Sequence, residues 1–389
     1  MRLQLAALGT SAMPASSQSL PRGWARAPWA VLTLCLSCWS CSALAQNNSG
    51  SWGGSIEGRG NYFWERSTRV IVPEVKATVT APDGTNVGVG YLLDAISSAS
   101  ISAGAGNDQV ATEYRHALAL EAGRPFDLGS SQLDLGVHGI YSSENDYTSL
   151  ALGLSSGLWL NQKNTKLSLY ATGVSDQIRS NADPSFDGHL KGLSASAGIE
   201  QVLSPVLLLT LNYQFGYLDG FLGNPYRRAL SAAHAPEREA PPTTRYRHGI
   251  SSHLSWFIPA TDTAVHLIYA SYLDSWDVAA VIPEIRIYQQ VTRDFLVRPR
   301  YRLYVQSKAS FQRAKYPAGW DGPTTADPKL SALTTHTVGL SLEYRLSFLA
   351  HTVFDFAKDA WLDVALDRYF SNSSFGNAIL GTAGGRLEF

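Results

Sequence analysis

Hydrophobic and polar residues alternate with a period of two along most of the chain, in segments separated by turn-forming residues. This alternation puts successive side chains on opposite faces and is typical of β-strands with one apolar face. Most segments have about ten residues or more, enough for a tilted strand to cross a bilayer. We distinguish sixteen segments, at 54–65, 70–81, 86–95, 111–122, 131–142, 146–158, 166–177, 191–202, 206–219, 245–257, 264–274, 278–289, 295–306, 333–348, 360–370 and 379–389.

The connections between these segments indicate on which side of a membrane each one lies. In an outer-membrane barrel both termini are periplasmic, so periplasmic turns alternate with external loops. The tight turns all take periplasmic positions, at 82–85, 204–205, 259–262 and 292–294. The long connections all take external positions, at 96–110, 178–190, 220–244 and 307–332. The chain is therefore predicted to be all-β, a transmembrane antiparallel up-and-down β-barrel of about 16 strands, with 14 to 18 if a segment is split or merged.

The last strand carries the signature of a barrel that closes at its C-terminus. Leu387 and Phe389 share one face, and Arg386 and Glu388 share the other, as expected for a lipid face and a lumen face. We interpret Leu387 and Phe389 as the assembly signal read by the barrel-assembly machinery. A soluble periplasmic β-sandwich or propeller is the alternative, but its strands are usually about five or six residues long.

The N-terminal residues 1–45 are predicted to be a signal peptide, leaving residues 46–389 as the barrel. Arg22 and Arg26 precede a short apolar run at 29–36, and Ala-Leu-Ala at 43–45 forms a small-residue cleavage pattern. All cysteines lie in this leader, and a lipoprotein reading is the alternative, although the residues before Cys38 and Cys41 fit a lipobox poorly.

Composition agrees with a membrane barrel and narrows the possible chemistry. Only 16% of residues are charged while 11% are aromatic. Without the leader's three arginines the formal charge moves from -1 to about -4, which is no signature of nucleic-acid binding. Without its leader the chain contains no cysteine and therefore no disulfide or thiolate metal site. We expect neither a metal nor another cofactor.

Charged residues alternate with apolar ones along the segment 295–306, where Arg298, Arg300 and Arg302 are the most pronounced. Arginine facing lipid would cost several kcal/mol at mid-bilayer, so these side chains are expected to face the lumen. Neighbouring segments complete the predicted lumen-lining set, which is Arg298, Arg300, Arg302, Glu284, Arg286, Glu343, Arg345, Arg245 and Arg247. The arginines could form an ion-selective channel lining, or an arginine–carboxylate network that stiffens the interior.

Aromatic residues cluster near the predicted strand ends, among them Trp64, Trp256, Trp276 and Trp361. We interpret them as membrane-interface girdles, with a sugar-stacking path as the alternative. The sequence Gly-Leu-Ser-Ser-Gly at 153–157 matches the serine-hydrolase elbow, but it lies inside a predicted strand with no helix after it.

Several stretches resemble a family of bacterial outer-membrane proteins defined only as a domain of unknown function. They are 91–100, which contains Asp-Ala-Ile-Ser-Ser-Ala-Ser, then 244–248, 269–278 with its Asp-Ser-Trp, and 298–307 with Phe311. Ala279 and Ala280 stand where that family usually has a Ser-His-type pair. The resemblance implies an outer-membrane barrel and, since the family has no established activity, no catalytic residues.

The sequence therefore predicts a protein of the bacterial outer membrane that is not an enzyme. The leading hypothesis is a passive, porin-like channel with an arginine-rich lumen wall, whose partners are outer-membrane lipid, lipopolysaccharide and small solutes. The alternatives are a plugged barrel that anchors or binds through its external loops, and an outer-membrane hydrolase.

Overall fold

Sixteen antiparallel strands form a closed barrel in the part of the chain that the structure describes. The computed structural model describes residues 51–65, 68–98, 111–232, 235–373 and 376–389. The barrel strands are β1 (Gly53–Glu65), β2 (Thr68–Thr80), β3 (Asn86–Ser98), β4 (Ala111–Asp127), β5 (Gln132–Ser143), β6 (Tyr147–Leu160), β7 (Thr165–Arg179), β8 (Asp187–Ser204), β9 (Leu207–Gly220), β12 (Thr244–Ile258), β13 (Thr263–Asp274), β14 (Ala279–Thr292), β15 (Phe295–Gln306), β16 (Leu333–Arg345), β17 (Trp361–Ser371) and β18 (Ala378–Glu388). The two remaining strands, β10 (Arg228–Ala229) and β11 (Glu237–Arg238), form a small hairpin outside the barrel. The prediction of a sixteen-strand, all-β barrel is confirmed.

The barrel closes where the last strand meets the first. Each strand pairs with its neighbours in the chain, and β18 pairs with β1, so the main sheet has no edge. At the periplasmic end of this seam, Gly54 N donates to Phe389 O at 2.7 Å and Phe389 N donates to Gly54 O at 3.0 Å. Closure matters because unpaired backbone groups at a sheet edge could not be satisfied in lipid.

Side chains alternate between a lipid-facing exterior and a polar interior along each barrel strand. On β14, Val281, Ile285 and Ile287 are exposed, whereas Glu284 and Arg286 between them are buried. The exterior carries exposed leucine, valine, isoleucine and tyrosine on all sides, which suits contact with hydrocarbon. No helix within the described ranges is both long and apolar enough to span a membrane.

One periplasmic connection is as elaborate as an external loop. Strand β16 ends at Arg345 instead of the predicted residue 348, because Ser347–Leu349 turns into a 3-10 helix and Ser347 Oγ donates to Asp294. A second 3-10 turn follows at Asp355–Ala357. The connection exposes four apolar side chains, and Val353 is the most exposed of them at 88%. They are Phe348, Val353, Phe354 and Phe356. The sequence had suggested that long connections occur only on the external side. This periplasmic connection shows that they occur on both sides.

The external connections fold onto one another and form what we call the external cap, which consists of the described residues of 221–243, 275–278 and 307–332. Isolated β-bridges join Ser231 to Tyr316 and Ala240 to Thr324. The cap holds the hairpin β10–β11 and packs its own apolar core. These connections therefore form one folded unit at the external end of the barrel.

Candidate channel wall and external cap

The three arginines of β15 lie on the interior face of the barrel. Arg298 is 4% exposed, and Arg300 and Arg302 follow it at alternate positions, while Tyr301 and Val305 between and beyond them are exposed to the exterior. The guanidinium of Arg298 lies over the ring of Tyr288 on β14, 5.3 Å from its centre. The arrangement follows from alternation along a strand whose other face meets lipid.

Glu284 on β14 is shared between two arginines. Its Oε1 accepts from Arg286 Nε at 2.5 Å and lies 3.7 Å from Arg300 Nη1. Register places Glu284 opposite Arg302 on β15. One carboxylate thus lies among three guanidinium groups, so Glu284 alone cannot neutralise the charge of this cluster.

Arg300 finds its main partner two strands away. Its Nε and Nη2 each donate at 2.7 Å to Asp367 on β17, a bidentate contact that crosses β16. The contact passes over Gly339, where an added Cβ would lie 1.7 Å from Asp367 Oδ1. Alternation along β17 gives Asp367 an interior position, but the pairing with Arg300 could not be predicted, because nothing in a strand pattern signals a partner that lies beyond the adjacent strand.

Arg245 belongs to the external rim rather than to the middle of the wall. It pairs with Asp274 and lies over Trp276 with 4.2 Å between the guanidinium carbon and the ring centre. Asp274 Oδ1 also accepts from Trp276 N and Val278 N at 2.9 and 3.1 Å, which shapes the turn between β13 and β14. The Asp-Ser-Trp segment therefore builds this turn, and Trp276 is buried in the cap instead of lying in an interface girdle.

Two interior arginines have less complete pairing. The Nε atoms of Arg247 and Arg302 are buried and have no hydrogen-bond partner among the described residues. Neither side chain takes part in an ion pair within the described part of the chain. Buried guanidinium groups with a free donor can bind an anionic group from solution.

The remaining predicted residues lie nearer the periplasmic side. Arg345 pairs with Asp359 of the connection 346–360. Glu343 is half-buried and lies opposite Asp363 on β17. At the end of β18, Arg386 Nη2 lies 2.6 Å from Glu388 Oε1 on the interior side, while Leu387 pairs with exposed Ile56.

The opposite wall of the interior carries mostly acidic side chains. Above the periplasmic rim, the interior face of β12–β16 carries six arginines and only three acids. The acids are Asp274, Glu284 and Glu343. On β1–β9 the interior acids are Glu57, Glu65, Glu74, Asp94, Glu113, Glu121, Asp134, Asp176 and Glu200, and the interior bases are Arg59, Lys76, Arg115 and Lys166. Some of these pair with each other, such as Lys76 on β2 with Glu121 on β4 at 2.7 Å. The interior is thus basic on one side and acidic on the other.

The external cap has an apolar core that rests on the barrel rim. Trp276, Phe311 and Leu330 are buried together with Val278 and Ala309. The rings of Trp276 and Phe311 meet edge to face, 5.3 Å apart. Burial of these side chains supplies the hydrophobic stabilisation that holds connection 307–332 against the turn 275–278.

A buried ion cluster joins the two long connections of the cap. Arg227 Nη1 lies 2.7 Å from Asp327 Oδ2 and 3.7 Å from Glu239 Oε1. Glu239 also accepts from Thr325 Oγ1 at 3.0 Å and from Ala326 N at 2.9 Å. Burial raises the pKa of Glu239, and the charge of Arg227 opposes that rise. The cluster therefore couples 221–243 to 307–332 through contacts that depend on both.

Lys329 lies beside this cluster. Its Nζ is buried and has no hydrogen-bond partner among the described residues. The pKa of Lys329 is lowered to about 7, mainly by burial and also by the charge of Arg227, while the charges of Asp327 and Glu65 oppose the decrease. Glu65 ends β1, so the cap reaches across to the strands at the seam.

The cap is also attached to the connections on its other side. Tyr226 donates to Asp146, and its hydroxyl accepts from Asn181 N at 2.9 Å. Arg238 Nη2 lies 2.7 Å from Asp183 Oδ2. The cap is therefore anchored to external chain from β5 round to β16.

A closed barrel with an apolar exterior defines this chain as an outer-membrane β-barrel. Residues 108–372, more than half of the chain, match the family described as protein of unknown function (DUF3570). The chain belongs to that family, which confirms the resemblance. A comparison with curated proteins finds no match.

Solved outer-membrane structures are similar in architecture. OprD of Pseudomonas aeruginosa is 8% identical with a TM-score of 0.42, over 87% of this chain and 95% of that one. OccAB1 of Acinetobacter baumannii is 11% identical with a TM-score of 0.38, over 87% and 96%. The CymD monoaromatic hydrocarbon channel is 11% identical with a TM-score of 0.41, over 87% and 88%. At this level of similarity no residue role carries over.

The structure also bears on hydrolase and metal chemistry. Residues 153–157, which match the hydrolase elbow, lie within strand β6. Among the residues described, no group of three or more His, Cys, Asp or Glu side chains is arranged to hold a metal ion.

Proposed function

We propose that this protein is a porin-like channel for small ions and polar solutes, with a basic wall on β12–β16 that faces an acidic wall on β1–β9. Sixteen-strand barrels normally leave an aqueous channel. The observation that carries the proposal is the segregation of interior charge, because opposite fixed charges across a lumen attract and orient solutes with separated charges.

The incomplete pairing of Arg302 supports a channel over a filled interior. A network whose purpose is to stiffen the barrel would satisfy its buried donors, since a partly satisfied network is destabilising. The Nε of Arg302 remains without a protein partner among the described residues, although Glu284 is close. We infer that water or a passing anion satisfies it.

Single-channel recording in planar bilayers tests the proposal. The wild-type barrel should conduct, and Arg302→Gln should shift the reversal potential in a KCl gradient toward cation preference, because a fixed positive charge leaves the lumen. The triple change of Arg298, Arg300 and Arg302 to Gln should enlarge that shift. It should also lower thermal stability, because Glu284 and Asp367 lose partners.

Arg368→Gln is the matched control, since Arg368 is exposed on the exterior face of β17. It should leave the reversal potential unchanged. Absence of conductance above the lipid background, or an unchanged reversal potential in the Arg302 variant, would overturn the proposal.

The packed external cap favours one second candidate, a closed barrel that binds a partner through its external surface. The buried cluster of Arg227, Glu239 and Asp327 would give such a surface a fixed shape. Single-channel recording distinguishes the two functions. An open channel conducts with the cap in place, whereas a closed barrel conducts only after the cap is removed.

A further inference from the structure

Three tyrosine–histidine pairs occur on the lipid-facing exterior, each between two strands joined by an external connection. A hydrogen bond links Tyr Oη to His Nδ1 in every pair, at 2.7, 2.8 and 2.8 Å. The pairs are Tyr91 with His116, Tyr213 with His248, and Tyr301 with His336.

The pairs share one geometry. The tyrosines are 41%, 42% and 41% exposed, and the ring centres of each pair are 6.1 to 6.2 Å apart. Each histidine is two residues closer to the external end than the residue opposite its tyrosine, as His336 is to Val338. The three histidines therefore lie in the external half of the barrel wall, next to the outer leaflet.

Each pair leaves a polar hydrogen without a protein acceptor. If the tyrosine donates to Nδ1, the imidazole carries its proton on Nε2. If Nδ1 donates instead, the phenol hydrogen is free. In either arrangement one donor has no acceptor among the described residues. Such a donor is costly in hydrocarbon, so an acceptor from the lipid should meet it.

An exposed basic residue accompanies each pair on the neighbouring strand. Arg368 on β17 lies opposite Val338, which is itself opposite Tyr301 of the third pair. Arg69 on β2 and Lys191 on β8 lie opposite Ser97 and Asp219, six residues from Tyr91 and Tyr213 along the same strands toward the external rim. Lys191 lies opposite the exposed acid Asp219, so the second site is less basic than the other two. The positive charge beside the third pair, and above the other two toward the external rim, favours an anionic acceptor over a neutral one.

The distribution round the barrel excludes a single protein interface. Four strands separate the first pair from the second, two separate the second from the third, and four separate the third from the first. We propose that the three pairs are binding sites for the phosphate groups of lipopolysaccharide in the outer leaflet. Each Tyr–His pair supplies a hydrogen-bond donor, and its basic neighbour supplies charge.

Native mass spectrometry of the full barrel with added lipid A tests this proposal. The wild type should retain up to three lipid A molecules. A variant with Tyr91, Tyr213, Tyr301, His116, His248 and His336 all changed to Phe should bind lipid A at least tenfold more weakly, while keeping the heat-modifiable gel mobility of a folded barrel. Phenylalanine keeps an aromatic ring on the lipid face but removes the donor and its partner.

The matched control changes three lipid-facing tyrosines that have no histidine partner, Tyr114, Tyr141 and Tyr269, to Phe. It should bind lipid A like the wild type. Equal binding by the wild type and by the variant that lacks all six pair residues would overturn the proposal. So would equal binding of dephosphorylated lipid A, which would show that phosphate is not recognised, or of phosphatidylglycerol, which would show that the sites do not select lipopolysaccharide.

Discussion

At the scale of single residues, Arg300 reaches Asp367 across an intervening strand because residue 339 has no side chain. Gly339→Ala should lower the free energy of unfolding by about 1–3 kcal/mol, since the new methyl group would displace the carboxylate and separate the ion pair. Urea titration of the detergent-solubilised barrel measures this change.

Gly58→Ala is the matched control for that substitution, because a Cβ at this exposed position on β1 meets no atom within 4 Å. It should leave the stability nearly unchanged. Equal stability of the two variants would mean that the Arg300–Asp367 contact contributes nothing.

Lys329 should make the stability of the external cap depend on pH. In the folded cap its pKa is about 7, against an ordinary value of 10.5 when the cap is unfolded. As the pH falls from 10.5 toward 7, only the unfolded form gains the proton, so the cap weakens over that range. Below about 7 both forms are protonated and the weakening ends. Chymotrypsin should therefore cut connection 307–332 faster at pH 7.5 than at pH 9.5, after correction for the enzyme's own pH dependence.

Lys329→Met should remove most of this pH dependence and slow the cleavage at pH 7.5. Lys315→Met, at an exposed position of the same connection, should behave like the wild type. If the cleavage rate of the Lys329 variant still depended on pH as in the wild type, the dependence would have to come from another group.

At the scale of elements, the cap depends on partners that two connections supply. Arg227→Met should leave Glu239 and Asp327 buried without their cation, at a cost of about 3–5 kcal/mol. Hydrogen exchange in 221–243 and 307–332 should then become at least about a hundredfold faster, while exchange in the barrel strands should be unchanged. Arg228→Met is the control, since Arg228 is the exposed neighbour. If exchange became faster in only one of the two connections, the connections would not be coupled.

At the scale of the whole molecule, the seam between β1 and β18 decides whether the barrel closes. Deleting Phe389 removes both backbone hydrogen bonds to Gly54 and a side chain that is 66% exposed to the exterior. The level of protein in the outer membrane should fall severely, because an open edge is not tolerated in lipid. Phe389→Tyr keeps the backbone and the ring and should assemble normally. Normal levels of the shortened chain would refute this role.

Much of the fold could be predicted from the sequence because strand alternation and turn chemistry are local. Each of the sixteen predicted segments overlaps one barrel strand, and the parity of the connections agrees with the closed order of strands. The leader 1–45 lies outside the described residues, and its removal stays a prediction. The interior placement of Arg298, Arg300 and Arg302 also follows from alternation, once one face of β15 meets lipid.

The sequence by itself thus determined which residues form strands and which of them face inward, since both properties repeat every second residue. Only the tertiary structure decided the partners of those residues. Asp367 contacts Arg300 across β16, Trp276 turns into the cap, and the acidic wall opposes the basic one only after the sheet has closed. The physical reason is that ion pairs and packing depend on strand register, barrel closure and the folding of long connections, and no local pattern encodes them.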